Sequence, residues 1–149
     1  MLGILIALLS GLLMSVQGVM NTGVTKQTGI WLAAGFVQLS AFIVCVIAWF
    51  FTGRDKISGL WQVSPKYMLL GGIIGAFITI TVIKSMEMLG PAKAVMLIVI
   101  MQIVSAYLIE LFGIMGTQKV PFSWGKVVGG LISIIGIVIF CLSGENNKT

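Results

Sequence analysis

Five stretches of this 149-residue chain carry no charged side chain: Met1 to Thr25, Gln27 to Gly53, Tyr67 to Ile83, Ala94 to Ile109 and Val127 to Gly144. A helix rising about 1.5 Å per residue needs about 20 residues to cross the hydrocarbon core of a bilayer, with about 17 as the lower limit. The first, second and fifth stretches are long enough outright. The third and fourth require Lys84 and Glu87, or Lys93 and Glu110, to sit at or just inside the interface, where long side chains reach water while their stems stay in lipid. The pattern predicts an all-α integral membrane protein of about five transmembrane helices, near residues 2–24, 30–52, 67–88, 91–114 and 124–143, in one domain over 1–149.

The connections between these spans are short. In KSMEMLGPAK, Gly90 suits the end of one helix and Pro91 the first turn of the next, which predicts a very tight turn. The others read NTGVTKQTG, TGRDKISGLWQVSPK and GTQKVPFSW, and none is long enough for a soluble domain. The first span lacks a basic leader and exceeds a signal-peptide core in length, so it is expected to be a retained helix. Trp31, Trp49, Trp61, Tyr67 and Trp124 fall at span ends or in adjoining loops, as aromatic anchors at headgroup level do.

Composition agrees with lipid as the solvent: 58% of residues are hydrophobic and 9% charged, where soluble domains carry roughly 25% charged residues. Nine Lys and Arg against four Asp and Glu give a net charge of +5. The basic residues occupy gaps between apolar runs and form no basic face, so they read as topology signals and exclude nucleic acid as a partner. With the N-terminus inside, cytoplasmic loops hold Arg54, Lys56, Lys66, Lys119 and Lys126, against Lys26 and Lys148 outside, with Lys84 and Lys93 countable there too. The positive-inside rule favours the N-terminus in, by a margin small enough to keep dual insertion open. Cys45 and Cys141 lie in apolar runs and read as small buried hydrophobes. There is no His, so neither a disulfide framework nor a zinc-ligand set is expected, and no metal or cofactor. No Walker motif, nucleophile elbow or dinucleotide fingerprint is present, which argues against an enzyme.

The residues that could carry transport chemistry are few. The first span has a stripe of Gly3, Ala7, Ser10, Met14, Gln17 and Asn21, a face that suits either close helix packing or, for Gln17 and Asn21, a substrate pathway. In the fourth span Gln102 and Glu110 are eight residues apart, about 80° apart around the helix, so they could line one cavity from different depths. A carboxylate in or near a bilayer is costly and reads as functional by default. Glu110 could exchange a proton for a cation, or it could sit at the interface paired with a loop lysine such as Lys119. Lys84 and Glu87 are three apart and can meet as an ion pair, with Glu87 the second candidate for coupling. Gly71, Gly72 and Gly75, and the row Gly125, Gly129, Ser133 and Gly136, are close-packing signals, the row being the candidate subunit interface.

The segments VQGVMN at 16–21, GGIIGAFITI at 71–80, LGPAKAVMLIVIMQ at 89–102 and LIELFGIMGTQKVPFSWGKVVGGLISIIGIVIF at 108–140 resemble the YdcZ-type small inner-membrane exporters of the drug/metabolite transporter superfamily. The last is the most specific, with an acidic residue before Phe-Gly, a basic Pro-containing loop and a glycine-rich final helix. Family members often have Asp-His where this chain has Glu110 and Leu111, and the Lys84 and Glu87 pair lies outside the family pattern. The resemblance marks Gln17, Asn21, Gln102 and Glu110 as motif positions and implies a bacterial or archaeal cytoplasmic membrane. It also implies a five-helix half-unit of a ten-helix inverted-repeat transporter. An odd number of spans places the termini on opposite sides, so two oppositely inserted copies, a homodimer or a pair with a paralogue, would reproduce such a repeat. The expected function is a secondary-transporter subunit that exports or exchanges a small molecule, with proton coupling through a carboxylate. The alternative is a non-transport assembly or regulatory partner of a larger membrane complex. A passive channel fits less well, because the polar residues are too sparse to form a continuous ring.

Overall fold

In a bilayer the backbone N–H and C=O groups have only each other as partners, so the long uncharged stretches form helices. The computed structural model describes residues 1–53 and 55–143; Arg54 and Lys148, both counted in the charge balance, lie outside the described residues. In order the elements are α1 (Leu2–Thr28), α2 (Ile30–Thr52), a four-residue α3 (Gly59–Gln62) and a 3-10 turn (Lys66–Leu70) running directly into α4 (Gly71–Leu89). Then come α5 (Pro91–Phe112), a short 3-10 turn (Ile114–Gly116) and α6 (Trp124–Ser143). Five helical segments are long and apolar enough to cross a membrane: Leu2–Thr28, Ile30–Thr52, Lys66–Leu89, Pro91–Phe112 and Trp124–Ser143. The chain is an all-α, multi-pass membrane protein.

The first span differs from its expected end. α1 runs on through the segment read as a loop to Thr28, and Gly29 alone turns the chain into α2. Gly29 has φ 89° and ψ 156°, a region essentially closed to residues with a Cβ, and its N–H donates to Thr25 O at 2.8 Å. Gly90 repeats this geometry between α4 and α5, with φ 80°, ψ 158° and its N–H on Met86 O at 3.0 Å. Pro91 follows at the first position of α5, where a missing N–H costs nothing.

The chain divides into two compact units, Met1–Pro91 and Ala92–Thr149. In the first, α1, α2 and α4 pack against one another in all three pairings. Its buried residues are Gly18, Asn21, Thr22 and Thr25 on α1, Ala33 and Ala34 on α2, and Ile83 and Met86 on α4. These belong to the end of α1, the start of α2 and the end of α4, so the bundle's tightest packing is at one end. Small residues there let backbones approach closely, which is how helices associate where lipid supplies no hydrophobic drive. Elsewhere the large apolar side chains of α1 and α2 stay exposed, as a lipid solvent allows. Cys45 is exposed on α2 and Cys141 half-buried, which corrects the expectation that both are core residues; a thiol is apolar enough to face lipid.

The second unit is the pair α5 and α6 with its connecting loop. The last carbonyls of α5 lack partners within the helix, and the loop folds back to supply them. Thr117 Oγ1 donates to Ile109 O at 3.3 Å and to Ile114 O at 2.8 Å, and Val120 N–H donates to Glu110 O at 3.0 Å. Among the described residues of α5 only Ala94 is buried, and none of α6 is.

Candidate substrate pathway

On α1 the stripe is divided. Gly3, Ala7, Ser10, Met14 and Gln17 are exposed, whereas Asn21 is only 9% exposed. The hydroxyls along this helix mostly turn back on it, as Ser and Thr do in helices: Ser10 Oγ on Ile6 O, Ser15 Oγ on Gly11 O and Thr22 Oγ1 on Gly18 O. Thr25 Oγ1 is enclosed without a hydrogen-bond partner among the described residues. Asn21, Thr22 and Thr25 therefore form a polar patch inside the converging end of the three-helix unit, and Gln17, one turn earlier, lies outside it.

Lys84 Nζ and Glu87 Oε2 are 3.2 Å apart on α4, the lysine side chain largely exposed and the carboxylate mostly covered. Between α2 and α4 lies a groove of about 670 Å³, lined by Trp31, Gln38, Phe42, Cys45, Phe77 and Ile80 among others. Gln38 was not singled out from sequence. Its Nε2 lies 3.6 Å from where a Cβ on Gly75 would be, and the signal available was that it is the one side-chain amide in Ile30–Thr52. Gly75 thus meets a neighbour, while nothing lies within 4 Å of a Cβ built on Gly71 or Gly72. Among the described residues nothing fills the packing role read for those two glycines.

In the second unit Glu110 is paired, with a different lysine from the expected one. Lys126 Nζ lies 2.8 Å from Glu110 Oε2, with both side chains about half exposed. Lys126 occupies the first turn of α6, while Lys119 belongs to the strap that caps α5, its Cβ close against Gly113. The same Lys126 stands over the Tyr107 ring, 5.7 Å from its centroid, and the Tyr107 hydroxyl accepts the Ser123 N–H at 3.2 Å. This polar cluster lies in a groove of about 520 Å³ between α5 and α6, whose walls include Ile103, Val104, Leu108, Val127, Leu131 and Ile134.

Gln102 is exposed, at the midpoint of α5. Gly125, Gly129, Ser133 and Gly136 are all exposed on α6. Nothing lies within 4 Å of a Cβ on Gly129 or Gly136, and Gly125 faces only Ser123 Oγ at 3.6 Å. The four fall within about 80° of one another around the helix, a smooth strip that no described residue covers.

No curated protein and no solved structure matches the chain. A family model described as "Putative inner membrane exporter, YdcZ" matches residues 2–139. The match takes in every residue of both grooves and both lysine–carboxylate pairs. The description names export, which points to a transporter acting on a small molecule in a bilayer and away from an enzyme. On that match, which spans nearly its whole length, the chain belongs to the YdcZ family of inner-membrane exporters.

Proposed function

We propose that the chain is one half of a secondary transporter, and that it exports or exchanges a small molecule across a bacterial or archaeal cytoplasmic membrane when paired with an oppositely inserted second copy or paralogue. The observation that carries this reading is the position of two amides. Gln17 is within a turn of the middle of α1 and Gln102 is at the middle of α5, and both are exposed. Polar side chains at that depth in membrane proteins face a bundle interior or a cavity, and the described residues of each amide's own unit provide cover for neither. A partner related by an inverted repeat would supply it, with a midplane site between the halves. The bare Gly125, Gly129, Ser133 and Gly136 strip on α6 supports contact along that helix.

Asn21 and Glu87 in the first unit, and Gln102 and Glu110 in the second, are the other residues assigned to pathway and coupling in this reading. Coupling is assigned to Glu110, whose carboxylate lies in a groove with its counter-charge on a different helix. The basic loops favour an N-terminus inside. Counterflow in liposomes of purified protein, with a panel of metabolites and cations under an imposed pH gradient, tests the reading. Accumulation of at least one solute that disappears with Glu110→Gln supports it. Absence of gradient-dependent movement across the panel contradicts it.

A further inference from the structure

The polar cluster between α5 and α6 has a property that restricts what can occupy its groove. The Lys126 and Glu110 pair at 2.8 Å is neutral as a whole, and the walls beyond it are mostly aliphatic, with Gly129, Gly130 and Ser133 of α6 among them. A bound cation would take Glu110 and leave Lys126 with only the face of Tyr107, an attraction weaker than the ion pair it replaces. A bound anion would take Lys126 and leave Glu110 without its counter-charge. A molecule with an ammonium and an acid group replaces both interactions at once and leaves the net charge unchanged. The groove volume of about 520 Å³ lies in the range of small-molecule sites, and its aliphatic walls favour an apolar body on that molecule.

We infer that the groove between α5 and α6 takes a soluble zwitterion with an apolar side group, its ammonium on Glu110 and its acid group on Lys126, the internal ion pair being the empty state of the site. This rests on the transporter reading and specifies the substrate class. Tyr107 is placed to assist in two ways. Its hydroxyl fixes the start of α6 by accepting the Ser123 N–H, and its ring faces the lysine that must swing from Glu110 to the ligand.

The full chain is reconstituted in vesicles of phosphatidylcholine and phosphatidylglycerol, and binding of tritiated phenylalanine is followed by scintillation proximity. Unlabelled 2-phenylethylamine and 3-phenylpropanoate share its aromatic body and carry one charge each. Saturable phenylalanine binding is expected, displaced at least about ten-fold more weakly by either single-charge compound than by phenylalanine. Glu110→Gln and Lys126→Met should each weaken binding about ten-fold, while the exchanged pair Glu110→Lys with Lys126→Glu stays within about three-fold of the parent. Equal displacement by the amine or the acid, loss of binding in the exchanged pair, or no saturable binding overturns the inference. So does displacement by added phosphatidylethanolamine, which would assign the groove to a lipid headgroup. If binding fails while another solute is still transported, the substrate class is wrong and the transporter reading stands. If phenylalanine binds and no solute moves, the reverse holds.

Discussion

Gly18 on α1 stands against the thioether of Met86 on α4: a Cβ on residue 18 would come within 2.4 Å of Met86 Cε and 2.8 Å of its Sδ. Met86 is buried, so any added atom must displace it. The obstructing atoms are the far end of a flexible chain, and Gly18→Ala is expected to cost about 1 kcal/mol, at the low end of overpacking. Gly18→Leu should prevent the three-helix unit from closing. Adding Met86→Ala to Gly18→Ala should recover part of the loss. Thermal unfolding of the purified variants in detergent measures this, and a Gly18→Ala variant as stable as the parent would contradict the expected cost of displacing Met86.

Gln17 and Asn21 are one turn apart and should behave differently. Gln17→Ala removes an exposed amide and is expected to leave stability unchanged while lowering transport. Asn21→Ala alters an enclosed position, and polar contacts between membrane helices average about 0.6 kcal/mol, so a small loss of stability should accompany its loss of transport. Melting curves and counterflow on the same preparations separate the two effects. Parent-like transport in both variants would reduce the stripe to packing.

The contrast between those residues also marks what the sequence could show. The five spans were legible because lipid tolerates so few charges, and Lys84, Glu87, Lys93 and Glu110 enter α4 and α5 near their ends, as snorkelling requires. The Gly90 and Pro91 corner was legible from residue type. Its counterpart at Gly29 was hidden because the preceding polar residues, NTGVTKQT, look like a loop and yet continue α1. Helical spacing put Gln17 and Asn21 on one stripe, but the helices converge only from Gly18 onward, and that depends on where α2 and α4 begin and end. Lys126 as the partner of Glu110 was likewise a tertiary fact, since sixteen residues and a loop that folds onto α5 separate them.

The bare strip on α6 gives a substitution that should separate pairing from folding. A Cβ added at Gly136 would have nothing within 4 Å among the described residues, so Gly136→Leu should leave the chain's own melting behaviour unchanged. Small-residue strips act through close backbone approach, and the same substitution should weaken chain–chain association by more than about ten-fold. Single-molecule photobleaching or crosslinking in vesicles reads the association. An unchanged paired fraction would remove α6 from the interface.

The proposed orientation rests on the charge balance and can be read in intact cells. Single cysteines at Lys26 and Lys119, in a variant lacking Cys45 and Cys141, are probed with an impermeant thiol reagent. Labelling at Lys26 only is expected if the N-terminus is fixed inside, which would call for an oppositely inserted paralogue as partner. Labelling at both positions indicates dual insertion, which an antiparallel homodimer requires. Labelling at Lys119 only contradicts the proposed topology.

The central claim is that one chain is half of the working unit. Purified protein is reconstituted at serial dilution until vesicles hold no more than one chain, and counterflow of a transported solute is measured per chain. The paired account predicts that activity per chain falls away as vesicles with two chains become rare, and that it returns when two copies are fused with opposite insertion. Transport at full rate by vesicles holding a single chain would contradict it.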